Sequence, residues 1–328
     1  EQVYLRYPDD REAAVLYALA LNMTALPTDK TYANQLKAGA ILVRVFAEQP
    51  NHPGAAHYII HSYDYPPIAM QGLAASRRYA SIAPAAPHAL HMPSHVFTRL
   101  GYWQESIQTN RAAAEVSHAA AAKMGPGTAG AEGLHAMDYM MYAYLQGAQD
   151  GEAKRLLEQV KAFRKADIPG RIVPSYAFAA IPARYAVERG QWAEAAKLKL
   201  HPGEFDFPWA SWPQSEAILV FARALGSARS GDPAGARKEI ERLSSLREAL
   251  VAARQNYWAG QVDIQIKASS AWVARAEGKN EEALTLLRAA ADMEDESEKH
   301  IVTPGYLLPA REMLGELLLE LGQPAQAL

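Results

Sequence analysis

HPGAAHYIIH (52–61) and APHALHMPSH (86–95) carry the same His-xxx-His pair at a spacing of 34 residues, with His57 answering to His91 and His61 to His95. A pair spaced i, i+4 places both imidazoles on one face of a helix. A period of this length is that of a helix–turn–helix unit that stacks into a solenoid. Repeating the pair at one period sets the second on the neighbouring helix, facing the same way. Four imidazoles on adjoining helices have the makings of a metal site.

The rest of the chain agrees with a helical reading. Its 328 residues are rich in Ala, Leu and Glu, and no long alternating β-branched run interrupts them. With 49% hydrophobic and 21% charged residues it has the composition of an ordinary folded protein. A net charge of −3 gives no basic footprint, which speaks against a nucleic-acid partner. No apolar run is long enough for a membrane span. EQVYLRYPDD at the start is not a signal peptide, although one could have been removed. The chain has no cysteine, so thiolate ligands and disulfides are excluded. That absence tilts the expected compartment towards the periplasm or the exterior rather than the cytoplasm. Any metal would rest on His, Asp, Glu, Tyr or Met.

A second signature recurs along the chain. GYWQES (101–106), GQWAEA (190–195), GDPAGA (231–236), GKNEEA (278–283) and GQPAQA (322–327) each place a glycine shortly before a small residue, and QGAQDGEA (146–153) is a looser copy. The glycine suits the end of one helix, where a left-handed residue needs no Cβ. The small residue lets two helices pack closely. On these motifs the chain resembles the tetratricopeptide-repeat superfamily over nearly its whole length. The expected fold is all-α, a right-handed solenoid of about seven to eight helical hairpins over 1–328, with units near 11–52, 53–86, 87–124, 133–168, 175–208, 214–250, 256–297 and 305–328. Residues 53–150 form its His-rich half and 175–328 its C-terminal repeats. The last unit lacks most of its second helix, so the natural chain is expected to continue. KMGPGTAGAEG (123–133) reads as a mobile loop, and HPGEFDFPWASWP (201–213) as an ordered connector.

The resemblance implies that positions 2, 5 and 9 of each first helix face the concave groove. With Pro53 and Pro87 as first positions, His57 and His91 fall at 5, and His61 and His95 at 9. In the next unit His135 falls at 2, Asp138 at 5 and Tyr142 at 9. Later units carry Ala180 and Arg184, Phe221 and Leu225, Ala268 and Trp272 at the two pair positions, so duplication alone does not explain why His stays in one half. The candidate ligands are therefore His57, His61, His91, His95, His135 and Asp138. Helix spacing allows the two pairs to meet at one ion, while His135 and Asp138 sit one helix further away. Pro93 lies between His91 and His95 and either kinks the helix or begins it. Imidazole suits Zn, Cu or Fe, and Met92, Met137, Met140 and Met141 nearby are core fillers or soft ligands for copper.

Asp64, in YDYPP (63–67), could orient a histidine ring. Asp138 and Glu132 are the candidate general bases. Tyr142, Arg184, Trp272 and His300 are the candidate substrate contacts, and Trp209, Trp212, Tyr257 and Trp258 either line a channel or pack. The acidic run Glu294, Asp295, Glu296 and Glu298 reads as an exposed helix end, followed by a Pro304-Gly305 turn that could reach the groove.

Four motifs are similar to those of a group of bacterial tetratricopeptide-repeat proteins. They are HPGxxHYxIHxYD, PHAxHMPSHxFxRLGxW, HxxDYxxYAYLQ and EKHxVTPG, with Ile301 where Pro is common. The resemblance implies that the histidines are a family feature and carries no activity. Three functions follow from the residues. The first is a metal-dependent hydrolase or oxidoreductase acting on a small molecule or peptide in the groove. The second is a peptide- or protein-binding scaffold. The third is a metal storage or delivery protein.

Overall fold

Helix formers, N-terminal prolines and helix-ending glycines divide the chain into paired helices, and the computed structural model, which describes residues 1–203 and 206–328, is an all-α solenoid of helical hairpins. Glu204 and Phe205, in the 201–213 connector, lie outside the described residues. A short α1 (Gln2–Arg6) precedes the first hairpin, α2 (Arg11–Met23) with α3 (Ala33–Glu48). The second pairs α4 (Pro53–Ser62) with α5 (Leu73–Ile82). In the third, Pro93 divides the first arm into α6 (Pro87–His91) and α7 (Pro93–Arg99), which pack on α8 (Trp103–Ala121). Then come α9 (Ala131–Gln146) with α10 (Asp150–Ala162), and α11 (Ile172–Glu188) with α12 (Trp192–Ala195). The last are α13 (Pro213–Arg229) with α14 (Pro233–Ala252), α15 (Asn256–Ala276) with α16 (Asn280–Asp295), and α17 (Ala310–Glu320) with α18 (Pro324–Ala327). First helices stack on first helices, α9 on α11, α11 on α13 and α13 on α15, as a solenoid requires. Among the described residues no helix is long and apolar enough to cross a membrane.

The turn glycines behave as their motif suggests. Gly101, Gly190, Gly231, Gly278 and Gly322 all have positive φ between the two helices of a hairpin. The looser copy at 146–153 puts Ala148 in that conformation instead, at φ 53°.

The glycine-rich segment 123–133 differs from the mobile loop expected of it. Thr128 and Ala129 pair in parallel with Lys165 and Ala166. The Gly130 amide donates to His118 Nδ1 (3.0 Å), and the Gly133 amide to Ser117 Oγ (2.9 Å). A Cβ on Gly130 would lie 2.6 Å from the Ser117 carbonyl oxygen. Here glycine serves close packing rather than motion. Glu132 consequently lies in the first turn of α9, not on a solvated loop.

The concave side is largely filled. Ala180, Arg184, Phe221, Leu225, Ala268 and Trp272 are all buried, and a strap, residues 296–309, returns across the first helices. Lys30 donates to the Ser297 carbonyl and to Glu298. Arg99 reaches the Pro304 carbonyl, and Arg184 those of Gly305 and Tyr306. In the acidic run beside the strap, Asp295 and Glu296 are exposed at the end of α16 as expected, whereas Glu294 and Glu298 are engaged. Glu298 also accepts from Tyr32, Asp295 pairs with Arg311, and Glu294 is buried, accepting the Ala310 amide at 2.8 Å.

Burial pushes the Glu294 carboxyl up to about 7, against the pull of the Ala310 amide. A group raised on folding contributes stability that is full below its unfolded pKa and lost as pH rises through the folded one. For Glu294 that window runs from 4.5 to about 7. Glu294→Gln keeps the acceptor and removes the charge. It is expected to stabilise the protein by about 1–3 kcal/mol at pH 8 and to change little at pH 4.5, read from urea midpoints. Equal effects at both pH values would show that the buried charge is not the cause.

Candidate metal centre

Five histidines of the sequence pattern and a sixth, His88, form one continuous cluster. Ring centroids are 5.0 Å apart for His57 and His88, 6.2 Å for His88 and His91, 4.2 Å for His91 and His135, and 5.8 Å for His61 and His95. Two groups have ligand nitrogens within 4.8 Å of one another: His57, His61 and His88, and His91, His95 and His135. The division differs from the two-pair site expected of the spacing. The helix continues through αR at Met92 across Pro93, so His91 turns towards α9 and meets His135. His135, expected to be remote, is therefore in the inner group. His88 occupies position 2 of its unit, the position His135 holds in the next, and that register was the sequence signal for it.

The inner group is buried, with His91, His95 and His135 exposed by 0%, 2% and 6%. Its protonation pattern follows from its partners. The Asn110 Nδ2 donates to the Ser106 carbonyl (2.8 Å), so its Oδ1 faces His91 Nδ1 as an acceptor (2.6 Å). His91 therefore carries its proton on Nδ1. His95 Nδ1 lies 2.9 Å from Asp64 Oδ2, an acceptor. Both protons thus point outward, and the two Nε2 lone pairs face each other at 3.1 Å. Burial, then the charges of neighbouring histidines, holds His91 and His135 well below the usual imidazole range. Burial also takes His95 down to about 4 against the pull of Asp64. These rings are neutral at pH 7, the form in which imidazole binds a metal.

Asp64 occupies the turn after α4 and is almost wholly buried. Besides His95 it holds Arg99 (Nε to Oδ1, 2.9 Å) and Lys299 of the strap (Nζ to Oδ2, 3.1 Å). Burial would raise its carboxyl, but Arg99 and His95 outweigh it and set it at about 2. Tyr139 OH lies 3.2 Å from the same His95 nitrogen and donates to the Ile301 and Thr303 carbonyls. The strap is thus tied to the ring-orienting carboxylate. Asp64 is the orienting residue expected from the sequence; Lys299 and Tyr139 lie in the EKHxVTPG and HxxDYxxYAYLQ motifs without that role, and Asn110 carried no signal.

The outer group is half-buried. His57 Nε2 and His61 Nε2 are 2.9 Å apart, and His88 Nδ1 lies 3.2 Å from Glu132 Oε2. Glu132 is held by Arg171 (2.8 Å). Burial, followed by the neighbouring His61, takes His57 down to about 2. His61 falls to about 4, again chiefly through burial.

The remaining candidates lie apart from both groups. Asp138, at position 5 of its unit, does not join the imidazoles. It faces Arg184, with Nε 3.5 Å from Oδ1, and both of its oxygens lack a hydrogen-bond partner. Burial raises its carboxyl to about 6, an effect Arg184 only partly offsets. Tyr142 lies under the Arg184 guanidinium, 5.1 Å from it. Trp272 is buried beneath Arg229, 3.9 Å away. His300 lies tilted against Trp258, with ring centroids 4.7 Å apart. Met92, Met137, Met140 and Met141 are buried in the apolar core.

No protein-family model matches this chain, and no curated protein matches it. Among solved structures it is similar to a chain in the structure of Naa15/Naa10 bound to HypK-THB, with 13% identity and a TM-score of 0.28, covering 100% of this chain and 63% of that one. A likeness of that size carries no argument, so the solenoid assignment stands on the paired helices themselves.

Proposed function

We propose that this chain is a metal-binding helical-repeat protein whose resident ion, a divalent transition metal of the Zn, Cu or Fe kind, sits on His91, His95 and His135. The observation that carries this reading is the pair of buried Nε2 atoms facing each other at 3.1 Å, with both Nδ1 protons held by outer partners. Two neutral acceptors at that distance repel, and neither has a proton to share once Asn110 and Asp64 hold both Nδ1 protons. A cation between them turns repulsion into ligation, and tetrahedral bonds of about 2.0–2.1 Å place two nitrogens roughly 3.3 Å apart. Outer partners on Nδ1, one a carboxylate and one an amide carbonyl, are the arrangement that orients metal-bound imidazoles.

Three imidazoles leave room for a fourth ligand, and a metal so held can acidify a bound water or polarise a substrate oxygen. With the concave positions of α11, α13 and α15 buried and the strap across the groove, a small molecule fits this reading better than a peptide. The half-buried outer histidines would form the approach to the site. Glu132 and Asp138 are each tied to an arginine, so neither is placed as a ready base.

Metal content tests the reading. Protein expressed without a tag and titrated with Zn(II) is expected to bind at least one ion per chain. His91→Ala with His95→Ala is expected to weaken the tightest step by more than about 100-fold, beyond the loss typical of an orienting residue. Parent protein that takes up no Zn, Cu or Fe would overturn it.

A further inference from the structure

We infer that His57, His61 and His88 hold a second divalent cation beside the first, and that the two ions together take a small oxyanion as exogenous ligand. The inference rests on the metal reading of the inner group. The outer group repeats its geometry: a pair one helical turn apart with Nε2 atoms at 2.9 Å, completed by a third ring from the next first helix. His88 turns Nδ1 towards a carboxylate, as His95 does, and this leaves its Nε2 as the free donor. The two groups touch. His61 faces His95 at 5.8 Å and His88 faces His91 at 6.2 Å, so the ions would share one enclosure.

Charge identifies the missing ligand. An imidazole ligates a metal as a neutral group, so none of the six donors offsets the charge of an ion. The carboxylates that contact the rings, Asp64 and Glu132, are matched by Arg99, Lys299 and Arg171, two against three. The surroundings are therefore positive by one before any metal enters. Two divalent ions add four positive charges with no protein carboxylate among their ligands. An anion must answer them, and hard oxygen donors spanning two cations are the usual answer in paired metal sites. A phosphate or carboxylate group is the matching chemistry. Exposure separates the two sites: the inner rings are sealed, while the outer ones are half-exposed, so the outer ion should exchange first.

Co(II) titration followed by visible absorption separates the steps. Parent protein is expected to bind two Co(II) per chain and to lose one first on dialysis against nitrilotriacetate. His57→Ala with His61→Ala should bind one. If that variant fails to fold by circular dichroism, His88→Gln serves, weakening only the second step. Parent protein that binds one Co(II), retained in the outer variants, would overturn the second site and leave the inner reading standing. Parent protein that binds none would remove both. Inorganic phosphate should shift the absorption of the doubly loaded protein and not of the singly loaded one. A spectrum that phosphate leaves unmoved would discard the oxyanion.

Discussion

Asp64→Asn is expected to cost about 3–5 kcal/mol of stability and to weaken the tightest metal step by about 10–100-fold. Three buried groups converge on this carboxylate: His95, Arg99 and Lys299. The amide keeps an oxygen but cannot balance two cations whose side chains are only 12% and 7% exposed. It can also present an N–H to His95 Nδ1, which favours the tautomer with its proton on Nε2 and so blocks the ligand atom. The two losses are read separately, by urea unfolding of metal-free protein and by Zn(II) titration under folding conditions. Stability lost with an unchanged Zn affinity would reduce Asp64 to a structural anchor.

Arg184→Met should be comparably severe, by about 3–5 kcal/mol, because it strands the fully buried Asp138 and releases three strap contacts at once. Asp138→Leu with Arg184→Met should recover much of the loss, since an apolar pair of similar volume replaces a desolvated ion pair. The pH dependence has a definite sign. The Asp138 carboxyl rises on folding from 3.8 to about 6. Its contribution is present in full below 3.8 and lost as pH rises through about 6. Without Arg184 the carboxyl rises further, so the single variant should be least impaired at acid pH and worst above neutrality. A deficit independent of pH would mean that lost strap contacts dominate. Proteolysis within 297–306, faster in the variant, reports the strap directly.

Local rules wrote the hairpins. Glycine–small-residue motifs stop one helix and let the next pack, and these fall where Gly101, Gly190, Gly231, Gly278 and Gly322 turn with positive φ. The direction of the His faces was legible for the same reason, since helix periodicity and repeat period are both short-range properties. The partition of the rings was not. It depends on the path of the backbone through Met92 and Pro93, which sets His91 against His135. His88 was within reach, for it repeats the register of His135. The approach of the Lys299 loop to the groove was expected, but the roles of Lys299, Asn110 and Tyr139 were not, because they come from helices and a strap brought together only by the superhelix. The glycines at 125–133 mislead for a physical reason: the composition that permits motion also permits the closest backbone contact, and only the neighbours decide which.

The strap changes what kind of object the solenoid is. In a stack where each repeat feels only its neighbours, damage at one end fades along the row. Here Lys30 meets Glu298 across 268 positions and Lys299 meets Asp64 across 235, so the final hairpins grip the first two. The row is energetically a loop, in which information about the last repeat arrives at the histidines without passing through the middle. Such far-separated closures make folding slow and concerted rather than sequential, and they place the fate of the metal pocket in the hands of residues more than two hundred positions away.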